Sequence, residues 1–376
     1  MKKTLLALSV AALAAGAGSA QAYNFHIDQT GTDVDFYGSL RVKWESTSNK
    51  TNYVNGDVTK EHINHAVDND NSRFGFKLKQ SLGGDFYALG RAEWRMRGDA
   101  PSQHDFDHVY TRQLYAGFGH KQFGELTYGN MTTITDEVTQ SDLANTYSLT
   151  DGLLETSARR VTQYVYNGDY GSNKVKFGAY YGGSSKRNIK NVDLKNNRKN
   201  TWGTGLIFDH EIDSIQNVTV AAGFTREISE NADKTAYYSN AYALGLAYNF
   251  VHTTYGLDFA HKDTKNKDGA GNKVKNNEVT AVIRQGLNED WNVYAMYSYK
   301  TEKTLPVGSA YSKSTDRQFL VGTEYYVYNQ GSLKVKPFIE WQATRTKYEN
   351  TFDKDSGKQL DRSRDFKTVI GLRAYW

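Results

Sequence analysis

Charged side chains stand at alternate positions in several stretches of this sequence. Arg41, Lys43 and Glu45 follow one another at spacing two, as do Arg91, Glu93, Arg95 and Arg97, and Arg73, Lys77 and Lys79 share one parity around Gly75. Rows of guanidinium and carboxylate groups lining a wet cavity set up a field that orients ions and dipolar solutes, because low-dielectric walls focus it. Other chemistries find little support. The sequence has no nucleophile motif of the G-x-S-x-G type and no phosphate-binding glycine loop. The absence of cysteine removes thiolate metal sites and disulfides. His104-Asp105-Phe106-Asp107-His108 holds ligand types at close spacing, and His62 and His65 lie nearby, but in polar connecting stretches these read as solvated clusters. We therefore expect no cofactor, no metal and no enzyme activity.

Alternation of this kind requires strands, since successive side chains of a strand point to opposite faces. From Val34 to Ser46, the residues Val34, Phe36, Gly38, Leu40, Val42 and Trp44 share one face, and Asp35, Tyr37, Ser39, Arg41, Lys43 and Glu45 share the other. The pattern returns through Phe74–Leu78, Phe86–Met96, Val175–Tyr181, Val218–Phe224, Leu244–Tyr248, Tyr255–Phe259, Val293–Tyr299, Phe319–Tyr325, Leu333–Trp341 and Ile370–Trp376. Runs of about ten residues or more have the length of tilted membrane-spanning strands.

The spacing predicts short connections at 82–84, 120–123, 168–171, 251–252, 287–289 and 329–331. Long polar ones are expected at 47–70, 99–109, 131–158, 184–199, 228–238, 263–274, 303–314 and 347–361. Tight turns at one end and long loops at the other describe an all-β, antiparallel, up-and-down transmembrane β-barrel of about 16 strands. Such a barrel is too wide for side chains to fill, so its charged face lines an aqueous channel and its apolar face meets lipid. Aromatic rings at strand ends, Tyr37, Trp44, Tyr375 and Trp376 among them, are read as girdles at the headgroup level. An aromatic track guiding sugars is the rival reading of the tyrosines.

The 376 residues include 33 glycines, 27 tyrosines and only three prolines, with a formal charge of +4. Beyond the first two dozen residues no apolar run approaches the ~20 of a membrane helix. Acids and bases are mixed rather than blocked, so no nucleic-acid partner is expected. Lys2-Lys3, the apolar stretch Leu5–Ala17 and Ala20-Gln21-Ala22 follow the order of a secretory leader. Residues 1–22 are therefore expected to be a signal peptide and 23–376 the barrel.

Several segments resemble the enterobacterial-type general diffusion porins of the Gram-negative outer membrane. They are Val34-Asp35-Phe36-Tyr37-Gly38, Ser72 to Lys77, Thr111-Arg112 with Ala116-Gly117-Phe118, Gly124 to Asn130, Arg160-Val161 with Tyr166-Asn167, and the closing Gly371 to Trp376. Their order covers nearly the whole chain after the leader. The family usually ends in Phe, where this chain has Trp376, and often has a lysine where this chain has Ser39. The resemblance implies a 16-stranded homotrimer in the outer membrane, in contact with membrane lipid and lipopolysaccharide and inserted by the barrel-assembly machinery. It also implies that the second long loop contacts a neighbouring subunit.

The resemblance further implies that the third loop folds inward. That loop carries Asp136, Glu137 and Asp142, with Asp136 and Asp142 matching the family's acidic residues. The facing wall would hold Arg41, Arg73, Arg112 and Arg160, joined by Arg91 and Arg95 from the alternating strands. Arg112 is a special case: Leu114, Ala116 and Phe118 share its parity, so periodicity points it outward and only the resemblance points it in. Wall arginines outnumber loop acids. The expected function is passive diffusion of small hydrophilic solutes and ions, with weak selectivity leaning to anions. A substrate-selective, sugar-type porin is the alternative.

Overall fold

The computed structural model describes residues 23–97, 106, 108–184, 197–230, 236–266, 271–306 and 310–376. Residues 1–22, where a leader is expected, and most of 99–109, including His104, Asp105 and Asp107, lie outside the described residues. Sixteen strands close into one antiparallel barrel. In chain order they are β1 Thr32–Tyr53, β2 Arg73–Gly83, β3 Phe86–Arg97, β4 His108–His120, β5 Gly124–Thr132, β6 Ser157–Tyr170, β7 Asn173–Gly182 and β8 Asn197–Asp213. They continue as β9 Gln216–Glu230, β10 Ala236–Phe250, β11 Thr253–Asn266, β12 Lys273–Gly286, β13 Trp291–Leu305, β14 Ser312–Tyr325, β15 Leu333–Glu349 and β16 Leu360–Tyr375.

Each strand pairs with its chain neighbour, and β1 closes the ring. Its first half pairs with β2, from Thr32↔Gln80 to Ser39↔Arg73, and its second half pairs with β16, from Ser39↔Tyr375 to Tyr53↔Leu360. Gly38 and Trp376 exchange backbone hydrogen bonds at 2.9 and 3.2 Å. The short segment Tyr23–Ile27 then takes up the pairing of β1 where the chain's last residue leaves off, from Phe36 to Thr32. A closed ring leaves no row of unpaired backbone groups to face lipid.

The exposure pattern is inverted relative to a soluble protein. Phe118 is 66% exposed, and Leu40, Leu114, Leu244, Phe259 and Ile370 are exposed with it, whereas Glu93, Thr280 and Glu340 are 0% exposed. The two sets alternate along the strands, so the apolar band is external and the enclosed polar groups are internal. Among the described residues no helix is long and apolar enough to cross a membrane.

The strands outrun their expected bounds at the long-loop end. β1 has 22 residues, about twice the ~9–11 a tilted span needs. Its far half pairs back with Val58–Asn64 as a projecting hairpin, so the stretch 47–70 is mostly strand rather than loop. Likewise Lys265 lies on β11 and Lys273 on β12, not in the long connection expected at 263–274. A tight turn at 214–215, joining β8 to β9, went unpredicted.

Candidate functional site

The connection after β5 leaves the rim. It opens with a single 3-10 turn, Ile134–Glu137, and runs to β6 across the polar face of the wall. Glycines make room for it. A Cβ on Gly178 of β7 would lie 2.9 Å from the Ile134 side chain, and one on Gly256 of β11 would lie 2.6 Å from the Gln140 carbonyl oxygen. Ile134, Val138 and Leu154 pack with Val161, Tyr180, Ile207 and Ala221. Further on, Tyr147 and Leu149 pack with Val282, Met296, Leu320 and Val369.

Wall carboxylates take up the segment's backbone N–H groups. Asp258 accepts from Gln140 and Ser141, at 2.9 and 2.7 Å. Glu340 accepts from Thr146 and Tyr147, each at 3.0 Å, from the Asn145 N–H, and from the Tyr294 hydroxyl at 2.7 Å. Glu278 accepts from the Asp151 N–H at 2.9 Å. Extended backbone without a strand partner thus has its donors satisfied by charged acceptors, which are the stronger kind.

The arginines gather on the facing wall of β1–β4 and β16. Glu93 is their centre: it accepts from Arg112 at 2.5 Å, from Arg91 at 2.7 Å and from the Tyr37 hydroxyl at 2.9 Å. Arg112 reaches it because the β3–β4 ladder steps from Glu93↔Gln113 to Trp94↔Thr111, leaving Arg112 as the extra residue of a bulge. A bulge turns one side chain out of its expected face, which reconciles this arginine with the outward parity of Leu114. Arg73 and Arg95 lie within electrostatic reach of Arg112 and Glu93, and Arg73 within reach of Arg373. Arg41 donates to Ser39 Oγ at 2.9 Å and stacks 5.7 Å above the Tyr375 ring. Arg373 donates to Asp70 at 2.8 Å and also to the Asn145 carbonyl of the inserted segment.

Three expected site residues are placed otherwise. Arg160 is exposed, with a left-handed φ of 53°, and points to the Ser184 carbonyl at 3.5 Å, away from the other arginines. A register shift in the β5–β6 ladder accounts for this. Tyr37 and Tyr375 are on the polar face, bonded to Glu93 and packed under Arg41, so they are not part of an external ring. Trp376 does lie on the outer face, its ring 6.3 Å from Phe36, and Trp44 pairs in register with the exposed Ile370.

The loop acids divide. Glu137 is held by Lys176 of β7 at 2.5 Å. Asp136 and Asp142 are exposed at the surface of the segment, yet the protein around them removes enough water to raise both carboxyls from their ordinary value, opposed by Arg112 at Asp136 and, at Asp142, by the Ser148 hydrogen bond and then Arg373. Arg373, Asp258 and Glu340 were missed as site residues, as was Glu324, which accepts from the Asn145 side-chain amide of the inserted segment at 2.9 Å. Arg373 was legible, since it alternates with Leu372 and Ala374. Glu340 was legible as a lone acid between Ile339 and Trp341. No metal-binding group of His, Cys, Asp or Glu occurs among the described residues.

Comparison with known proteins agrees with the barrel fold. A family profile described as "Gram-negative porin" matches residues 7–333. A major outer membrane protein of Pasteurella multocida is 27% identical over the full length of both chains, and that of strain Pm70 is 26% identical over 90% of this chain and 92% of its own. Among solved structures, an anion-selective porin from Comamonas acidovorans superposes with a TM-score of 0.63 at 15% identity, covering 92% of this chain and all of its own. In-vitro folded OmpT of Vibrio cholerae, in its trimer form, gives 0.61 at 17% identity, covering 92% of this chain and 99% of its own.

Proposed function

We propose a function from one premise, that the chain belongs to the Gram-negative porin family and is an outer-membrane channel rather than an enzyme: it passes small hydrophilic solutes and ions through a charged constriction, with a weak preference for anions. The constriction lies between the arginines of β1–β4 and β16 and the inserted segment 133–156. The observation that carries this reading is the imbalance at Glu93 and Asp70, where Arg41, Arg73, Arg91, Arg95, Arg112 and Arg373 outnumber the acids that face them. Like charges 4 Å apart repel by roughly 1 kcal/mol in bulk water and more beside protein. Such crowding is tolerable where passing anions and water screen it, and an excess of fixed positive charge raises the local anion concentration.

Tyr37, Tyr294 and Tyr375 are engaged by Glu93, Glu340 and Arg41. That engagement favours a general pore over a sugar track. Cleavage after Ala22, assembly as a homotrimer, help from the barrel-assembly machinery and a girdle including Trp44 and Trp376 belong to the same proposal. The test is the reversal potential of single channels in a potassium chloride gradient. A small potential of anion-preferring sign is expected, moving toward cations in Arg112→Gln. Strong cation selectivity of the unaltered protein would overturn the assignment, and conductance steps in threes are expected of a trimer.

A further inference from the structure

Two pairs of opposite charges stand across the β1–β2 ladder without meeting. Asp35 is opposite Lys77 and Asp33 is opposite Lys79, all four on the polar inner face at the end of the barrel with the short turns. Cross-strand pairs of this kind ordinarily close on one another and stabilise a sheet. Here each partner is drawn elsewhere. Asp35 accepts from the Asn24 amide at 2.6 Å, and Asp33 shares a hydrogen bond with His26 Nδ1 at 2.7 Å, both on the short segment Tyr23–Ile27. The Lys77 ammonium lies 5.3 Å from the centre of the Tyr37 ring, and that of Lys79 lies 4.0 Å from the centre of the Tyr87 ring. Among the described residues, no carboxylate lies within ion-pair distance of Lys77 or Lys79.

Beside these groups is a cavity of about 300 Å³, lined in part by Asp33, Asp35, Lys77, Lys79, Tyr115 and Glu125. Its third acid, Glu125, is taken by the Tyr87 hydroxyl at 2.8 Å. Leu89 and Tyr115 give it apolar surface on the β3–β4 side. A contact with a ring face uses none of an ammonium's N–H donors, and a carboxylate that accepts one hydrogen bond can accept more. The cavity therefore presents anionic acceptors from β1 and cationic donors from β2, each with capacity to spare. Its volume is in the range of small-molecule pockets.

We propose that this cavity binds a small zwitterion, an α-amino acid with an apolar side chain. The ligand's ammonium would sit against Asp33 and Asp35, its carboxylate against Lys77 and Lys79, and its side chain against Leu89 and Tyr115. A solute with a single charge leaves one row unmatched, whereas a zwitterion matches both. The short-turn end of such barrels is the periplasmic one, so the site would hold a solute at the inner mouth, beyond the arginine wall. The inference rests on the chain forming an open barrel and not on the sign of its ion preference.

The test uses the full-length mature barrel in detergent. The probes are L-leucine, leucinamide as its cationic analogue and N-acetylleucine as its anionic one, with affinities read by saturation-transfer NMR. L-Leucine is expected to bind, and each analogue to bind about tenfold more weakly, the effect of losing one charge-assisted contact. Lys77→Gln with Lys79→Gln should weaken L-leucine by about the same factor without weakening leucinamide. Asp33→Asn with Asp35→Asn should weaken L-leucine without weakening N-acetylleucine. Lys174→Gln, at the same end on β7, should leave the affinity for L-leucine unchanged. Unaltered gel mobility of unheated samples and open conductance steps in planar bilayers will show that the variants fold. Should the aspartate variant release Tyr23–Ile27, the lysine variant still decides the matter. Binding of N-acetylleucine as tight as that of L-leucine would reduce the site to the general pull of the arginines, and binding of leucinamide as tight would reduce it to the pull of the acids. Either result, undiminished binding by the lysine variant, or no saturable binding of L-leucine by a barrel that conducts normally would overturn the proposal while leaving the channel itself in place.

Discussion

Glu340 offers the sharpest test of how the inserted segment is held. Its carboxylate is fully enclosed and accepts from three consecutive backbone N–H groups, Asn145, Thr146 and Tyr147, and from Tyr294. Glu340→Gln keeps the shape but turns one acceptor oxygen into an amide donor. At the Oε2 position the amide would face the Thr146 and Tyr147 N–H groups; at Oε1 it would face the Asn145 N–H while the Tyr294 hydroxyl turns round to accept, and in either case the remaining bonds lose their charged acceptor. Hydrogen bonds to a charged acceptor contribute roughly 1.5–3 kcal/mol each, so the docked state should lose about 3 kcal/mol or more. That is a factor of at least about 100 in the equilibrium between docked and released segment. Hydrogen exchange of the 145–147 amides should accelerate by a similar factor, and single-channel records should show new flicker between conductance levels. The barrel strands should keep their protection, since the change touches one side chain on the inner wall. Unchanged exchange at 145–147 together with a quiet, wild-type current would refute the idea that wall carboxylates anchor the segment.

Two further outcomes follow from the geometry. Desolvation raises the carboxyl groups of Asp136 and Asp142, so on acidification they lose charge before ordinary carboxylates do. Removing negative charge opposite the arginines should increase anion preference as pH falls toward the carboxylate range, and a reversal potential that moved toward cations would contradict this. Trp376→Ala removes a ring that packs near Phe36 on the outer face. An aromatic contact of this kind contributes about 1 kcal/mol, so the urea midpoint of the folded band on unheated gels should fall modestly, with conductance unchanged in the barrels that form.

Much of this architecture was legible in alternation alone. The pairing of Leu40 and Val42 with Arg41 and Lys43 specifies which face meets lipid, because a one-residue slip would expose every charge. What alternation cannot express is a break in itself. Arg112 faces inward only because a bulge adds a residue to β4, and Arg160 turns away where the β5–β6 ladder shifts register. In both places the sequence keeps its period while the backbone does not. Tyr37 and Tyr375 show a different limit: an aromatic near a strand end suits a headgroup, but parity with Arg41 and Arg373 decided their direction. Glu340 could be read from the sequence as a lone acid, but the anchoring role of Asp258, Glu278 and Glu340 could not, because their partners are backbone N–H groups more than a hundred residues away. The lengths of β1 and β16 were underestimated because polar residues outside the membrane still pair as strand.

The meeting of Tyr23–Ile27, Trp376 and β1 on one seam bears on how the molecule comes into being. The strand synthesised first can complete its bonding only with the piece synthesised last. Until that piece arrives, the growing structure is an unfinished ribbon with two sticky margins, each able to recruit foreign chains. Without β16 one edge of the second half of β1 has no partner and the ring stays open. Truncation near the carboxyl end should therefore yield waste for degradation rather than a smaller working conduit.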